Sequence, residues 1–392
     1  MHLALSAEQL ALRDELQKYF AGLMTEDRVA RLGKGEHAGG PAFREIVRQM
    51  GADGWLGVGW RKEWGGQGFT PIEQLIFFEE SNAAGVPLPF VTLNTVGPAL
   101  QAYGTPEQKS YFLPKILRGE LHFAIGYSEP GAGTDLAALA TSAVRDGDEW
   151  VINGQKIWTT GGHDADWVWL AARTDPQAPK HKGITIFAVD TTLPGFAHSP
   201  IWLLGGGHTN ATYYDNVRIP HSAVIGEVNG GWRLITAQLN HERVGLAPAG
   251  TIAGPLRRVV QWAKDTSLDD GRRVIDEEWV QVALARVHAK NDALKLWNWK
   301  VASRLETGEL GPAEASAMKI FGTEFQIEAL RILMEILGQP SLIARGGPGA
   351  LLLGELEHAY RAAPVRTFGG GVNEVQRDIV AQVALGMPRS PR

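Results

Sequence analysis

A change of texture in the middle of the chain restricts the fold more than any single motif. Between about Leu121 and Gly226, short β-prone runs such as Trp167-Val168-Trp169-Leu170 and Ile184-Thr185-Ile186-Phe187-Ala188-Val189 are punctuated by Gly, Pro and Asp. Such spacing predicts short strands joined by turns in a compact β-domain. Helical patterning flanks this stretch on both sides. From Ser6 to about Gly119, Ser6 with Gln9 three residues later reads as a capping box, and Leu10, Leu12, Leu16 and Phe20 form an apolar face. Turn signals at Gly65-Gly66 and Thr105-Pro106 divide that region into several helices. Helices return at about Gly231, where Ile327, Leu330, Met334 and Leu337 make a stripe near heptad spacing that fits a core or a subunit interface. An α, β, α order without internal repeat, low-complexity linker or long charge run predicts one integrated subunit.

At 392 residues the chain exceeds one small core and fits two or three packed segments. A net charge of -5 supplies no electrostatic reason to expect nucleic acid or an acidic lipid surface as partner. No run reaches membrane-spanning length, and the start of the chain, Met1 to Glu8, lacks the basic and apolar parts of a signal peptide. A cytoplasmic protein without membrane insertion is the simplest expectation. The absence of cysteine excludes disulfides, thiolate catalysis and Cys-ligated metals. Thirteen tryptophans are many for this length, and ordinary core and interface packing accounts for them better than a site for a bulky apolar ligand.

Two segments carry the chemistry. One is Ser128-Glu129-Pro130-Gly131-Ala132-Gly133-Thr134-Asp135; the other is Lys156-Ile157-Trp158-Thr159-Thr160-Gly161-Gly162. Glycines and small residues let backbone N–H groups approach a planar polar ring, and the Ser128 and Thr160 hydroxyls can donate to its edge. Trp158 can cover one face, so the pair suggests a flavin site.

Inside the α, β, α layout these two segments resemble those of the acyl-CoA dehydrogenase family. Supporting pieces in shared order are Gly59-Trp60 with Glu63 and Gly65-Gly66, Tyr103 to Lys109, Leu113-Pro114 with Gly119-Glu120, and Val217-Arg218-Ile219-Pro220. The resemblance covers nearly the whole chain. It implies an α+β fold with an N-terminal helical bundle (1–120), a middle β-domain (121–228) and a C-terminal four-helix bundle (229–392). It further implies FAD as cofactor, with Ser128 and Thr160 at the flavin edge, Trp158 over the ring, and Gly133, Thr134 and Gly371 as further FAD contacts. The implied activity is α,β-dehydrogenation of an acyl-CoA thioester: a carboxylate removes the α-proton while hydride leaves the β-carbon for flavin N5. An electron-transfer flavoprotein is the implied electron acceptor.

The base departs from the commonest pattern. In many members a glutamate stands in a Tyr-Glu-Gly-Thr turn shortly before the last helix, whereas here Phe368-Gly369-Gly370-Gly371 leads to Asn373-Glu374-Val375-Gln376-Arg377 and Gly370 occupies the glutamate position. A glycine cannot take a proton. The isovaleryl and long-chain branches carry the base on an earlier helix in a Glu-Arg pair, and this chain has the match in Asn240-His241-Glu242-Arg243. The resemblance makes Glu242 the candidate base and Asn240 and Arg243 the CoA contacts or base-ordering residues. Taken without it, Glu242 is an ordinary helical glutamate beside an arginine, and His241 is a structural or CoA-contacting residue. Glu374 matches a helix-start residue of the family, which argues against it as base.

Typical homotetrameric members clamp the adenine end of a neighbour's FAD with an Arg-x-x-Phe-Gly motif and a Gln-x-x-Gly-Gly motif. The corresponding regions here read Ser267-Leu268-Asp269-Asp270-Gly271 and Glu335-Ile336-Leu337-Gly338-Gln339. Exchanging a pyrophosphate-binding arginine for acidic surroundings is electrostatically unfavourable. A hetero-oligomer follows as the expectation: a homologous subunit supplies the clamp to FAD held here, as in actinobacterial members acting on CoA thioesters of steroid side chains. A homotetramer with other FAD contacts, Arg272 and Arg273 among them, remains open. So do a non-catalytic scaffold subunit and a DNA-associated relative of the fold, the last disfavoured by net charge.

Overall fold

The computed structural model describes residues 4–32, 39–241 and 247–388, with backbone alone for 239–241. The N-terminal helices are α1 (Ala7–Leu23), α2 (Glu26–Leu32), α3 (Pro41–Ala52), α4 (Pro71–Ala83), α5 (Gly97–Tyr103), entered through a π-helical stretch Val91–Val96, and α6 (Pro106–Leu117). Their starts are written locally. Ser6 accepts from the Gln9 amide at 3.2 Å while Gln9 Oε1 accepts from the Ser6 amide at 3.0 Å, and Thr70 with Glu73 and Thr105 with Gln108 repeat this box ahead of a proline at the first helical position. Leu16 and Phe20 are buried, but Leu10 is 40% exposed, so the buried stripe of α1 is narrower than its sequence pattern predicts.

The strands are β1 (Phe123–Gly126), β2 (Ser142–Asp146), β3 (Glu149–Lys156), β4 (Trp167–Arg173), β5 (Ile184–Asp190), β6 (Phe196–Trp202), β7 (His208–Pro220) and β8 (Val224–Ile225). They form a mixed sheet in the order β6-β7-β3-β2-β4-β5-β8, with β1 parallel to β4 from Phe123 opposite Trp167 to Gly126 opposite Leu170. The apolar runs of β4 and β5 are continuous because both faces are covered. Val168, Leu170, Phe187 and Val189 pack with Trp150 and Tyr214 on one side. Trp169, Ala171, Ile184 and Ile186 face the other way, into the core of the N-terminal helices.

Beyond the sheet come α7 (Gly231–His241), α8 (Gly250–Asp265), α9 (Glu278–Thr307), α10 (Pro312–Leu337), α11 (Glu355–Ala362) and α12 (Asn373–Ile379). Helices α8, α9 and α10 pack on one another and α12 lies against α10, whereas α7 seats on β5 and α5. The stripe on α10 resolves as core: Leu330, Met334 and Leu337 are buried and Ile327 half-buried among Val259 and Val287. At the seam between the helical layers Gly250 is obligatory, since a Cβ there would lie 2.0 Å from the Glu79 carbonyl oxygen. Among the described residues no helix is long and apolar enough to cross a membrane.

Helix α3 reaches the sheet through Arg44, which pairs with Asp164 at 2.9 Å and Asp166 at 3.3 Å. Asp166 in turn accepts from the His122 amide at 2.8 Å. The His122 ring packs edge-on to Phe43 with centroids 5.3 Å apart, and both its nitrogens are buried without a hydrogen-bond partner among the described residues. Burial, reinforced by the Arg44 charge, pulls this imidazole from 6.5 to about 4. Unfolded chains take up the proton near 6.5 and folded ones near 4, so stability falls as pH drops through that window, by roughly 3 kcal/mol at most. We expect the urea midpoint to decline over that interval and the decline to shrink in His122→Leu; an unchanged slope would show that another group controls it.

Candidate active site

Strand β1 ends at Gly126, and Tyr127 and Ser128 lead into a turn closed by the Glu129 and Ala132 amides, each donating to the other's carbonyl at 2.9 and 3.1 Å. Strand β3 ends at Lys156, and the next amide, Ile157 N–H, donates to the Ser128 carbonyl at 2.8 Å. That single bond places the two sequence motifs side by side.

Below it lies an ion pair that sequence reasoning quoted but gave no role. Lys156 is fully buried, and its ammonium donates to Glu129 Oε1 at 2.7 Å and to the Tyr127 carbonyl at 3.1 Å. Glu129 also accepts from the Ala140 amide at 2.7 Å and the Thr141 amide at 2.8 Å. Burial pulls the Lys156 amine to about 8, against the opposing pull of Glu129. Burial works to raise Glu129, but the Lys156 charge and the donated hydrogen bonds hold its carboxyl below the ordinary value. No local pattern signals the pair, since β3 reads Glu149-Trp150-Val151-Ile152-Asn153-Gly154-Gln155-Lys156 and is polar at the end that carries the lysine.

After Ile157 the chain turns sharply. Trp158 has φ of 64°, a left-handed conformation that costs about 1–2 kcal/mol in a residue other than glycine. The cost is met by β7: the Thr159 amide donates to the Asn210 carbonyl at 2.9 Å, and Asn210 Nδ2 returns a bond to the Thr159 carbonyl at 3.1 Å. The indole is left 55% exposed. Thr160 lies next, exposed, with its hydroxyl 3.4 Å from that of Thr209.

This wall fits a planar cofactor. A Cβ built on Gly131 or Gly133 meets nothing within 4 Å, so these glycines are not demanded by packing and leave backbone open to a ligand. Thr134 is exposed and Ser128 half-buried, and neither hydroxyl has a hydrogen-bond partner among the described residues. Asp135 is occupied differently, pairing with Lys180 at 2.8 Å on the surface.

Gly371 belongs to a second unit. Buried Lys319 on α10 donates to the Gly371 carbonyl at 2.8 Å, the Thr367 carbonyl at 2.9 Å and Asn373 Oδ1 at 2.7 Å. All three ammonium protons are thereby used to hold the loop that carries Gly370, which has φ of 69°. Asn240 lies in the last turn of α7, while Glu242 and Arg243 fall outside the described residues. The stretch is bracketed by buried polar groups. Before it, Gln238 Oε1 accepts from the Tyr127 hydroxyl; after it, Asn298 Nδ2 donates to the Ala247 carbonyl at 3.0 Å and Glu79 accepts from the amides of Ala249, at 2.9 Å, and Gly250. Burial raises the Glu79 carboxyl above its ordinary value. None of these brackets has a motif, which is why the sequence did not show them.

The arginines near Ser267 are committed locally. Arg272 pairs with Asp270 and Glu277, each at 2.7 Å, and Arg273 donates to the Asp265 carbonyl at 2.9 Å and the Ser267 hydroxyl at 2.8 Å.

Models of the acyl-CoA dehydrogenase N-terminal, middle and C-terminal domains match residues 6–120, 124–217 and 229–385. The chain is 53% identical over 401 residues to acyl-CoA dehydrogenase FadE26 of Mycobacterium tuberculosis (strain ATCC 25618 / H37Rv), covering 100% of both. Among solved structures it is similar to the Tcur3481-Tcur3483 steroid ACAD, at TM-score 0.95 and 53% identity over 100% of each chain. It is also similar to a chain of the ChsE4-ChsE5 complex from Mycobacterium tuberculosis, at TM-score 0.93 and 53% identity over 100% of each.

The Lys156–Glu129 pair predicts a one-sided stability effect. Removing one partner of a buried pair strands the other, so Lys156→Met is expected to lower unfolding stability by about 3–5 kcal/mol. Adding Glu129→Gln to that variant is expected to recover part of the loss. Additive destabilisation in urea titrations of the singles and the double would refute the coupling.

Proposed function

The chain belongs to the acyl-CoA dehydrogenase family of oxidoreductases acting on CH–CH bonds, and from that premise we propose that it oxidises an acyl-CoA thioester to the 2-enoyl-CoA with FAD as cofactor and Glu242 as base. The observation that carries this reading is the Ile157–Ser128 hydrogen bond, which joins the two flavin motifs into one wall. In the proposal FAD lies against Ser128, Gly133, Thr134, Trp158 and Thr160, with Gly371 contributing from the loop held by Lys319, and the division 1–120, 121–228 and 229–392 describes its three domains. Bound there, FAD supplies the acceptor for the hydride equivalent that leaves the β-carbon. Glu242 takes the α-proton, leaving a neutral carboxylic acid, and excluding water around it raises its pKa toward that task. Asn240 and Arg243 bind CoA or order the carboxylate. Gly370 has no side chain to compete for the proton, which favours a base from the α7 side.

The same residues carry the partner reading. Arg272 and Arg273 are held by local acceptors, which disfavours them as a pyrophosphate clamp. A homologous subunit then supplies the clamp, and a bulky, steroid-like acyl group is the substrate class, in line with the Tcur3481-Tcur3483 steroid ACAD and the ChsE4-ChsE5 complex to which the chain is similar. An electron-transfer flavoprotein reoxidises the flavin. A non-catalytic FAD-binding subunit is the second reading, favoured by the glycine at position 370 alone.

Anaerobic reduction of the FAD-loaded complex by a steroid-side-chain acyl-CoA separates the two. Glu242→Gln is expected to slow reduction by about 10²–10⁴-fold at unchanged flavin content; unaltered reduction would eliminate Glu242 as base. Purified without a partner, the chain is expected to hold FAD substoichiometrically. Full occupancy in a homotetramer would overturn the partner reading.

A further inference from the structure

Tyr127 separates β1 from the flavin-edge residue Ser128, and it is tied down at both ends. Its carbonyl accepts from Lys156 Nζ at 3.1 Å. Its hydroxyl accepts from the indole N–H of fully buried Trp169 at 3.1 Å and donates to Gln238 Oε1. The indole fills an acceptor site of the phenol oxygen, which leaves the phenol proton directed at Gln238.

Gln238 is an uneconomical choice for its surroundings. It is 4% exposed, and its Nε2 is buried with no hydrogen-bond partner among the described residues. A buried amide with an unmet donor destabilises the fold, and leucine fits a helix as well. The other buried side chains among the described residues of α7, Leu234 and Ile235, are apolar and therefore nondirectional. Gln238 adds a directional link, two residues before Asn240 and four before Glu242 in the sequence.

We propose that Tyr127 and Gln238 are positioning residues whose hydrogen bond sets α7 against the flavin-edge turn, and so fixes the register between proton removal and hydride departure. This rests on the reading of Glu242 as base. The two bond cleavages involve adjacent carbons of one substrate, so base and flavin edge must be held relative to each other, and a displacement of about 1 Å is enough to cost about 100-fold in rate. The turn is already fixed to the sheet through Lys156 and the Ile157 amide. The Tyr127–Gln238 bond extends that fixed frame to the helix.

The test is a double-mutant cycle of Tyr127→Phe and Gln238→Leu in the FAD-loaded complex. Each single variant is expected to slow flavin reduction by about tenfold or more, with acyl-CoA affinity within about twofold and a larger α-deuterium isotope effect. The double variant is expected to be no slower than the slower single. In the same complexes the Ile157 amide is expected to exchange faster in both singles, a readout independent of turnover. Gln238→Leu removes one unmet donor but strands the Tyr127 hydroxyl, so its melting temperature is expected to change little, and the double variant, which removes both groups, to melt no lower than Gln238→Leu. Additive rate losses, unchanged rates, or slowing that follows lost FAD or a lower melting temperature would overturn the positioning role. Failure of the base reading is seen separately: Glu242→Gln would then reduce normally, whatever the outcome of the cycle.

Discussion

The buried contact of Lys156 with Glu129 is the constraint on which the wall formed by the Ser128 turn and the end of β3 depends. One ammonium fixes the carbonyl before Ser128 and the carboxylate after it, and that carboxylate gathers the amides of Ala140 and Thr141. The Ser128 turn is thereby fastened to β3 and to the entry of β2 together. A pair this deep is expensive to desolvate, and apolar residues of similar volume often stabilise such a place as well. What they lack is direction: only a charged group with several fixed acceptors specifies where an exposed, glycine-rich turn must sit.

The same arrangement recurs beside the other segments of the proposed site. Lys319 holds the loop of Gly370 and Gly371 by three acceptors, Glu79 and Asn298 hold the backbone at 247–250, and Tyr127 with Trp169 holds Gln238. Each segment to which chemistry is assigned is adjacent to a buried polar anchor from another element. Preorganisation of this kind lets glycine and exposed side chains serve a site without relying on their own packing.

The legible parts of the sequence were those governed by local rules. The capping boxes at Ser6, Thr70 and Thr105 depend on residues three apart, and the strands at 167–173 and 184–190 on continuous apolar runs, so both were readable. The α, β, α order was readable for the same reason. Leu10 was misplaced because periodicity gives a face but not its width. The anchors were invisible because each joins residues distant in sequence: Glu79 to Ala249, Gln238 to Tyr127, Lys319 to Thr367. The local partners of Arg272 and Arg273, Asp270, Glu277 and their own turn, could be assigned only once the backbone around Ser267 was placed.

Three domain models match this chain, yet β4 and β5 tell against three independent pieces. Trp169, Ala171, Ile184 and Ile186 are fully buried by helices that lie more than fifty residues earlier in sequence as well as by α7. Cut from its flanks, the middle segment would present that apolar face to water and associate with itself or with other exposed chains. The sheet is therefore not a transferable cassette. Gene fusion or recombination that moves it must carry its helical cover along, and the lineage of such a segment is bound to that of its neighbours.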